Sequence, residues 1–412
     1  MNTRTALLTA LTLTACAPNI QDTGDVVVTD SGDSEGDTDA SPLPGYPTLT
    51  GPCVLGTAQP RRLVVTTTDF ATGAVSVIDA ATDAVSADVA LGSTDALPFA
   101  HGGYVYLLHR YTLDALDTLD ADGAWATLSQ QAIEAPDVSS ANAHRLAFSD
   151  DGRAYMTLFG APEIHVYALD DPTRPTLLPD ATIDISAVAD ADGNPEASLA
   201  VVCGELLLVS IGRLDEDALY QPTTDHDAIV LIDRHTGALH DLDADADGVQ
   251  PLRLQGRWAR QWRLDPADAE RQTLLVLTTG LERLDVRTGA VSWAITPERL
   301  AAVGVADVMQ PQAFALAEDG QLAYLAAYTA NFGGVSLFAG ALDDDAPLVP
   351  IATGLRSVER VLERVGDTLW YGDRADNQIG VHALDLTTSP PTPRLHLPLD
   401  VGLPPYSMIA IP

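Results

Sequence analysis

The sequence predicts an all-β fold, a seven-bladed β-propeller whose C-terminal strand completes the first blade. Three observations carry this. Between Arg62 and Gly92 three short runs rich in Val, Ile and Thr are separated by two turns, and this plan recurs about seven times before Pro412. The apolar residues alternate with a period near two, which marks half-buried strands rather than helices. The chain also ends on an apolar run, Ser407 to Ile411, that no further strand follows, while the first unit lacks an innermost strand.

With strands a to d numbered from axis to rim, blade 1 supplies b, c and d between Arg62 and Gly92. Ala71-Thr72-Gly73 and Ala81-Thr82-Asp83 provide its turns. Blade 2 starts at Ala96, runs through Tyr104 to His109 and fades toward Trp125. Blade 3 starts at Ala143, with Ser149-Asp150-Asp151-Gly152 as a hairpin turn. Blade 4 takes Leu199 to Val202, Leu206 to Ile211, Ala228 to Asp233 and an outer strand near Pro251 to Leu254. Blade 5 takes Gln261 to Leu264, Leu274 to Thr278, Leu281 to Val286 and Val291 to Ile295. Blade 6 takes Ala313 to Ala317, Leu322 to Tyr328, Val335 to Phe338 and Val349 to Ala352. Blade 7 takes Val358 to Leu362, Thr368 to Tyr371, Ile379 to Leu384 and Arg394 to Leu399. A lone ribbon of this size buries too little to stand alone, so the units must stack. Pairing Ser407 to Ile411 with Leu63 to Thr67 closes the ring and removes the open edges.

Val75-Ser76-Val77-Ile78-Asp79-Ala80-Ala81-Thr82 resembles the signature of YVTN-type propeller repeats, with Ile229 to Gly237 as a related copy. Leu284 to Trp293 is similar to the repeat of quinoprotein-type propellers. The resemblance implies a hydrogen-bonded Asp/Thr turn between strands c and d, a structural and not a catalytic role.

The formal charge is -36, and all 22 basic residues are Arg. The lack of Lys removes phosphate-loop and Schiff-base chemistry, and the acidity argues against nucleic acid as a partner. Residues 1–15 read as a targeting segment, with Arg4 before a short apolar run. Leu13-Thr14-Ala15-Cys16 resembles a bacterial lipobox, which implies lipid attachment at Cys16 and a lipid-anchored place in the cell envelope, at the outer membrane. Residues 16–52 are expected to be an acidic flexible tether, and residues 53–412 the propeller. Cys53 and Cys203 are left over, and an exported chain can pair them or bury them as thiols.

The loops from d to a and from b to c share one face, here called upper; the a–b and c–d loops share the lower one. Sorted this way, Arg110, Arg145, Arg213, Arg257, Arg260, Arg356, Arg360 and Arg374 gather on the upper face. Acidic residues such as Asp150, Asp151, Glu318 and Asp343 gather on the lower. Arg145, Arg260 and Arg360, with Gln312 and Tyr406 at matching places, are expected to line the mouth of the funnel. Guanidinium forks suit a carboxylate or phosphate; pairing with neighbouring carboxylates is the alternative. His144 beside them is the best single acid/base candidate, and no catalytic set is evident. The long b–c insertion Leu214 to Asp227 is placed to overhang the funnel.

Asp243, Asp245 and Asp247, followed by Gly248, resemble the first half of a calcium loop, but Leu254 stands where the bidentate Glu belongs. Calcium is thus the one cofactor to consider. The expected function is a monomeric, lipid-anchored binding or scaffolding module for a protein or a small anionic ligand. A lactonase-like hydrolase or a quinoprotein-like dehydrogenase is the competing class.

Overall fold

In the computed structural model, the described residues are 42–412 except 44, 57–58, 112, 136–137, 216–217, 219, 244–245, 306–310, 330–333 and 359. The leader, Cys16 and the tether up to residue 41 lie outside them.

Seven antiparallel sheets follow one another along the chain, and they are the predicted blades. Blade 1 is Pro405–Ile411, Arg62–Thr68, Gly73–Asp79 and Val85–Gly92, in that order from the axis. The terminal strand closes the ring against the predicted partner, with Met408 opposite Val65 and Ile409 opposite Val64. Leu63, Val64, Val65, Val75 and Ile78 are completely buried, so both faces of this blade pack against neighbours. That explains why its central strands read as near-continuous β-branched runs.

Blade 2, the least clearly marked, is a complete four-stranded sheet from Ala96–His101 to Thr127–Ala132. Blade 3 has its outer strand broken in two, Thr176–Leu177 and Ile183–Asp184, with a 3₁₀ turn at Pro179–Ala181 between. The sequence places strand a of blade 7 at Val358 to Leu362; it is Leu362–Val365, and its outer strand is only Thr392–Pro393. Helix is confined, among the described residues, to Pro297–Ala302 and two 3₁₀ turns. Thr296 caps that helix by accepting the Arg299 N–H.

The Asp of the c–d turn does what the repeat implies. Asp79 Oδ1 accepts the N–H groups of Ala81 and Thr82 at 3.0 and 2.9 Å. Asp233 does the same for His235 and Thr236, and Asp385 for Thr387. These bonds favour the ionised carboxylate, so all three pKa values lie below the usual Asp range.

One element has no counterpart in the sequence reading. Cys53–Val54 forms a fifth strand on the axial edge of blade 4, beyond Ala197–Cys203. Cys53 stands directly opposite Cys203 and is disulfide-bonded to it. Residues 45–52, inside the stretch read as tether, lie against the lower face. Tyr46 is buried between blades 4 and 5, so close to Gly289 that a Cβ there would come within 2.5 Å of its ring.

Candidate functional site

The innermost strands of all seven blades enclose one central cavity of about 860 Å³. Its lower part is lined by Leu55, Gly56 and Pro60. Arg271 holds this segment to blade 5: its side chain donates to Leu55 O at 2.8 Å, and its carbonyl accepts the Cys53 N–H at 2.8 Å. The cavity is bordered above by the d–a and b–c loops.

Arg145 is the third residue of its strand a, and its guanidinium lies over the Phe99 ring at 5.2 Å. Its Nε has no hydrogen-bond partner, and no carboxylate among the described residues is within ion-pair distance of it. Burial first, then repulsion from Arg263 and Arg360, pushes its pKa down to about 10, while Glu363 opposes the shift. His144, next to it, stacks on Phe159 with 4.4 Å between ring centroids. Burial, helped by Arg110 and Arg360, holds its pKa well below the usual His range, so the imidazole is neutral at neutral pH.

Arg260 directly precedes its strand and donates weakly to Gln312 Oε1 at 3.4 Å. Arg360 precedes blade 7, where its carbonyl accepts the Met408 N–H at 3.1 Å, and it lines the cavity. Tyr406 faces outward to a different cluster. Its hydroxyl donates to Asp95 at 2.7 Å and accepts from Arg110 at 3.1 Å. The expected set thus splits: His144, Arg145, Arg260 and Arg360 share the cavity, Gln312 touches Arg260, and Tyr406 is engaged in fastening blade 1 to blade 2.

Four groups that sequence reasoning missed complete the wall. Arg263 makes a two-pronged pair with Glu363, both bonds 2.9 Å, and also donates to Phe314 O and Leu362 O. It bridges blades 5, 6 and 7 and leaves Glu363 neutralised. Glu196 and Asp227, both buried, each accept a backbone N–H, from Leu214 at 2.6 Å and from Ala259 at 2.7 Å. The strand period places Arg263 on the same face of its sheet as Gln261, but does not say which neighbour that face meets.

The insertion after Leu214 folds into a small hairpin, Leu214–Asp215 with Gln221–Pro222, and Leu214 lines the cavity. Asp243 and Asp247 are exposed on a lower-face loop, closed by Gln250 donating its N–H to Asp241 at 2.9 Å; Asp245 lies outside the described residues. No cluster of three or more metal-ligating side chains occurs among the described residues. No described helix is long and apolar enough to cross a membrane.

The face sorting needs correction. Arg62, Arg234, Arg283, Arg364 and Arg394 sit toward the lower face, where each meets an acidic residue of a neighbouring blade: Asp122, Asp151, Asp343, Glu318 and Asp83. The lower acids were read as a separate surface because the strands that carry their partners are distant in sequence.

No protein-family model matches the chain, and no curated protein matches it. Solved structures do. A Lactobacillus plantarum protein superposes with a TM-score of 0.57 at 14% identity, covering 86% of this chain and 100% of that one. A proposed 6-phosphogluconolactonase from Bacteroides uniformis gives 0.56 at 13% identity, over 86% and 100%. One from Bacteroides fragilis gives 0.55 at 14%, over 87% and 100%. These likenesses establish the seven-bladed fold.

Proposed function

We propose that this chain is a lipid-anchored cell-envelope propeller that binds a small organic anion in its central channel. The supporting observation is Arg145: a guanidinium enclosed in the cavity, stacked on Phe99, facing other arginines, with its Nε unpartnered. In a chain of net charge -36, gathered like charges are costly unless something anionic relieves them. Glu363, the one carboxylate acting on Arg145, is already paired with Arg263. Polar groups left unpaired in a cavity of this size are a usual mark of a ligand site.

The test is titration calorimetry of the native protein with inorganic phosphate and with small sugar phosphates. Replacing Arg145, Arg260 and Arg360 together by Gln should abolish binding; unchanged affinity would refute the reading. Attachment through Cys16 is tested separately, by palmitate incorporation that Cys16→Ala eliminates.

A hydrolytic reading has one observation of its own. His144 is neutral and enclosed, as a general base must be, and two structurally similar proteins are proposed lactonases. A lactone-opening rate above the spontaneous one, lost in His144→Gln, would support it. Without such a rate the binding reading stands alone.

A further inference from the structure

We propose that the anion carries a flat ring, its charged group lying among Arg145, Arg263 and Arg360 and its ring against Phe99, Phe159 and Trp258. This rests on the anion-binding reading above and adds the class of ligand.

The cavity itself argues for more than a bare ion. At about 860 Å³ it would be left mostly empty by a phosphate, whereas pockets of roughly 300–1,000 Å³ hold ligands of drug size. Its wall is aromatic where the arginines are. Phe99 lies under Arg145, and Phe159 lies under His144. Tyr220, exposed on the insertion hairpin, follows outward from Phe159 at 6.3 Å. A line of rings thus leads from the upper surface to the cation cluster.

Phe99 packs in the core between blades 2 and 3, but Phe159 and Trp258 are not simply interblade core. Tyr106, Tyr155, Phe314 and Trp370 are core aromatics and are essentially inaccessible. Phe159 and Trp258 line the cavity and keep accessible surface. Trp258 is also held with φ at 64°, a region bulky residues avoid, by the loop that the buried Asp227 fixes through Ala259. Such a conformation persists only where the surroundings impose it, and it tends to occur at ligand sites. Trp262, a core residue between blades 4 and 5, borders the same cavity from behind. Guanidinium and aromatic faces side by side suit a ring bearing an acid group.

The experiment uses the disulfide-intact full chain and three probes: phenyl phosphate, inorganic phosphate and phenol. Binding is read by calorimetry and by quenching of Trp fluorescence. Phenyl phosphate should bind about tenfold tighter than inorganic phosphate, the size of one good aromatic stack, and phenol should not bind measurably. Phe159→Leu should erase that preference while leaving inorganic phosphate unchanged, and Phe159→Tyr should restore it. Arg145→Gln should weaken both phosphates. Equal affinity for the two phosphates overturns the ring inference and leaves anion binding intact. Phenol binding as well as phenyl phosphate, or no binding by any probe, overturns both.

Discussion

The two ends of the ring use arginine in opposite ways. At the lower end several guanidinium groups meet a carboxylate of a neighbouring blade: Arg234 with Asp151 at 2.6 Å, Arg364 with Glu318 at 2.8 Å, Arg283 with Asp343 at 2.6 Å. At the upper end the rim arginines do brace, as Arg374 does by donating to Thr68 O and Pro405 O. Of those facing the channel, Arg263 pairs with Glu363, whereas Arg145, repelled by Arg263 and Arg360, meets no carboxylate within ion-pair distance among the described residues. Positive φ at residues other than Gly occurs at both ends: Phe70, Tyr111, Tyr220 and Trp258 on upper loops, Asp83, Trp125, Arg271 and Asp343 on lower ones. The lower end is built for cohesion. The upper end encloses Arg145 without a carboxylate beside it among the described residues, the feature on which the proposed anion site rests.

The largest expected effect tests the lower end. The Cys53–Cys203 bond closes a 150-residue loop and ties Cys53–Val54 to blade 4. Constraining a loop of that length in the unfolded chain is worth up to about 5 kcal/mol. Reduction, or replacement of both cysteines by Ser, should therefore lower the melting temperature markedly. A change of a degree or less would mean that Cys53–Val54 contributes little to cohesion.

Next comes Arg283→Ala. Its partner Asp265 is only 4% exposed as a side chain, and loss of the guanidinium leaves a carboxylate out of water without a counter-charge. Breaking buried pairs typically costs 3–5 kcal/mol, and Arg283 is itself partly exposed, so about 2–3 kcal/mol of unfolding free energy should go. Denaturant titration checks it.

The architecture was legible because its determinants are local. Alternation and turn residues specify strands, and the unpaired Ser407 to Ile411 run could complete only the blade that lacked a strand a. The positions of Arg145, Arg260 and Arg360 followed from strand order alone. What is built from distant pieces was not legible. Arg263 and Glu363 pair across 100 residues, and no sequence period links them. Cys53–Val54 is two residues long, too short for any period to show which blade it joins. Phe99, Phe159 and Trp258 read as ordinary strand and loop aromatics. Whether such a ring faces a neighbouring blade or the axis depends on how the blades meet.

A pH experiment sharpens the comparison at the upper rim. Burial outweighs the Ala259 and Trp258 N–H groups, with Glu282 adding repulsion, and raises the Asp227 pKa to about 6. An unfolded Asp titrates near 3.9. Between these values the folded state binds the extra proton, so stability rises as pH falls from about 6 to about 4. The span corresponds to roughly 3 kcal/mol at 1.36 kcal/mol per unit. Relative to wild type, Asp227→Asn should lose this rise. Unfolding measured at pH 7 and at pH 4.5 on both proteins isolates the term from the other carboxylates.

The smallest effect is the most discriminating, because its sign differs from that of Arg283→Ala. Removing Arg145 deletes its contact with Phe99, worth about 0.5–1 kcal/mol at most sites. It also removes the repulsion with Arg263 and Arg360 and the cost of enclosing the charge, which together lower the Arg145 pKa to about 10. Those terms favour the neutral replacement. Arg145→Gln should accordingly leave the ligand-free protein as stable as wild type or about 1 kcal/mol more stable. The same variant should lose the stabilisation that phenyl phosphate gives to wild type, since a ligand raises stability only through the state it prefers. If Arg145→Gln instead destabilised the ligand-free protein as much as Arg283→Ala does, the channel arginine would be one more brace between blades. The contrast between the two ends would then fail at its central residue.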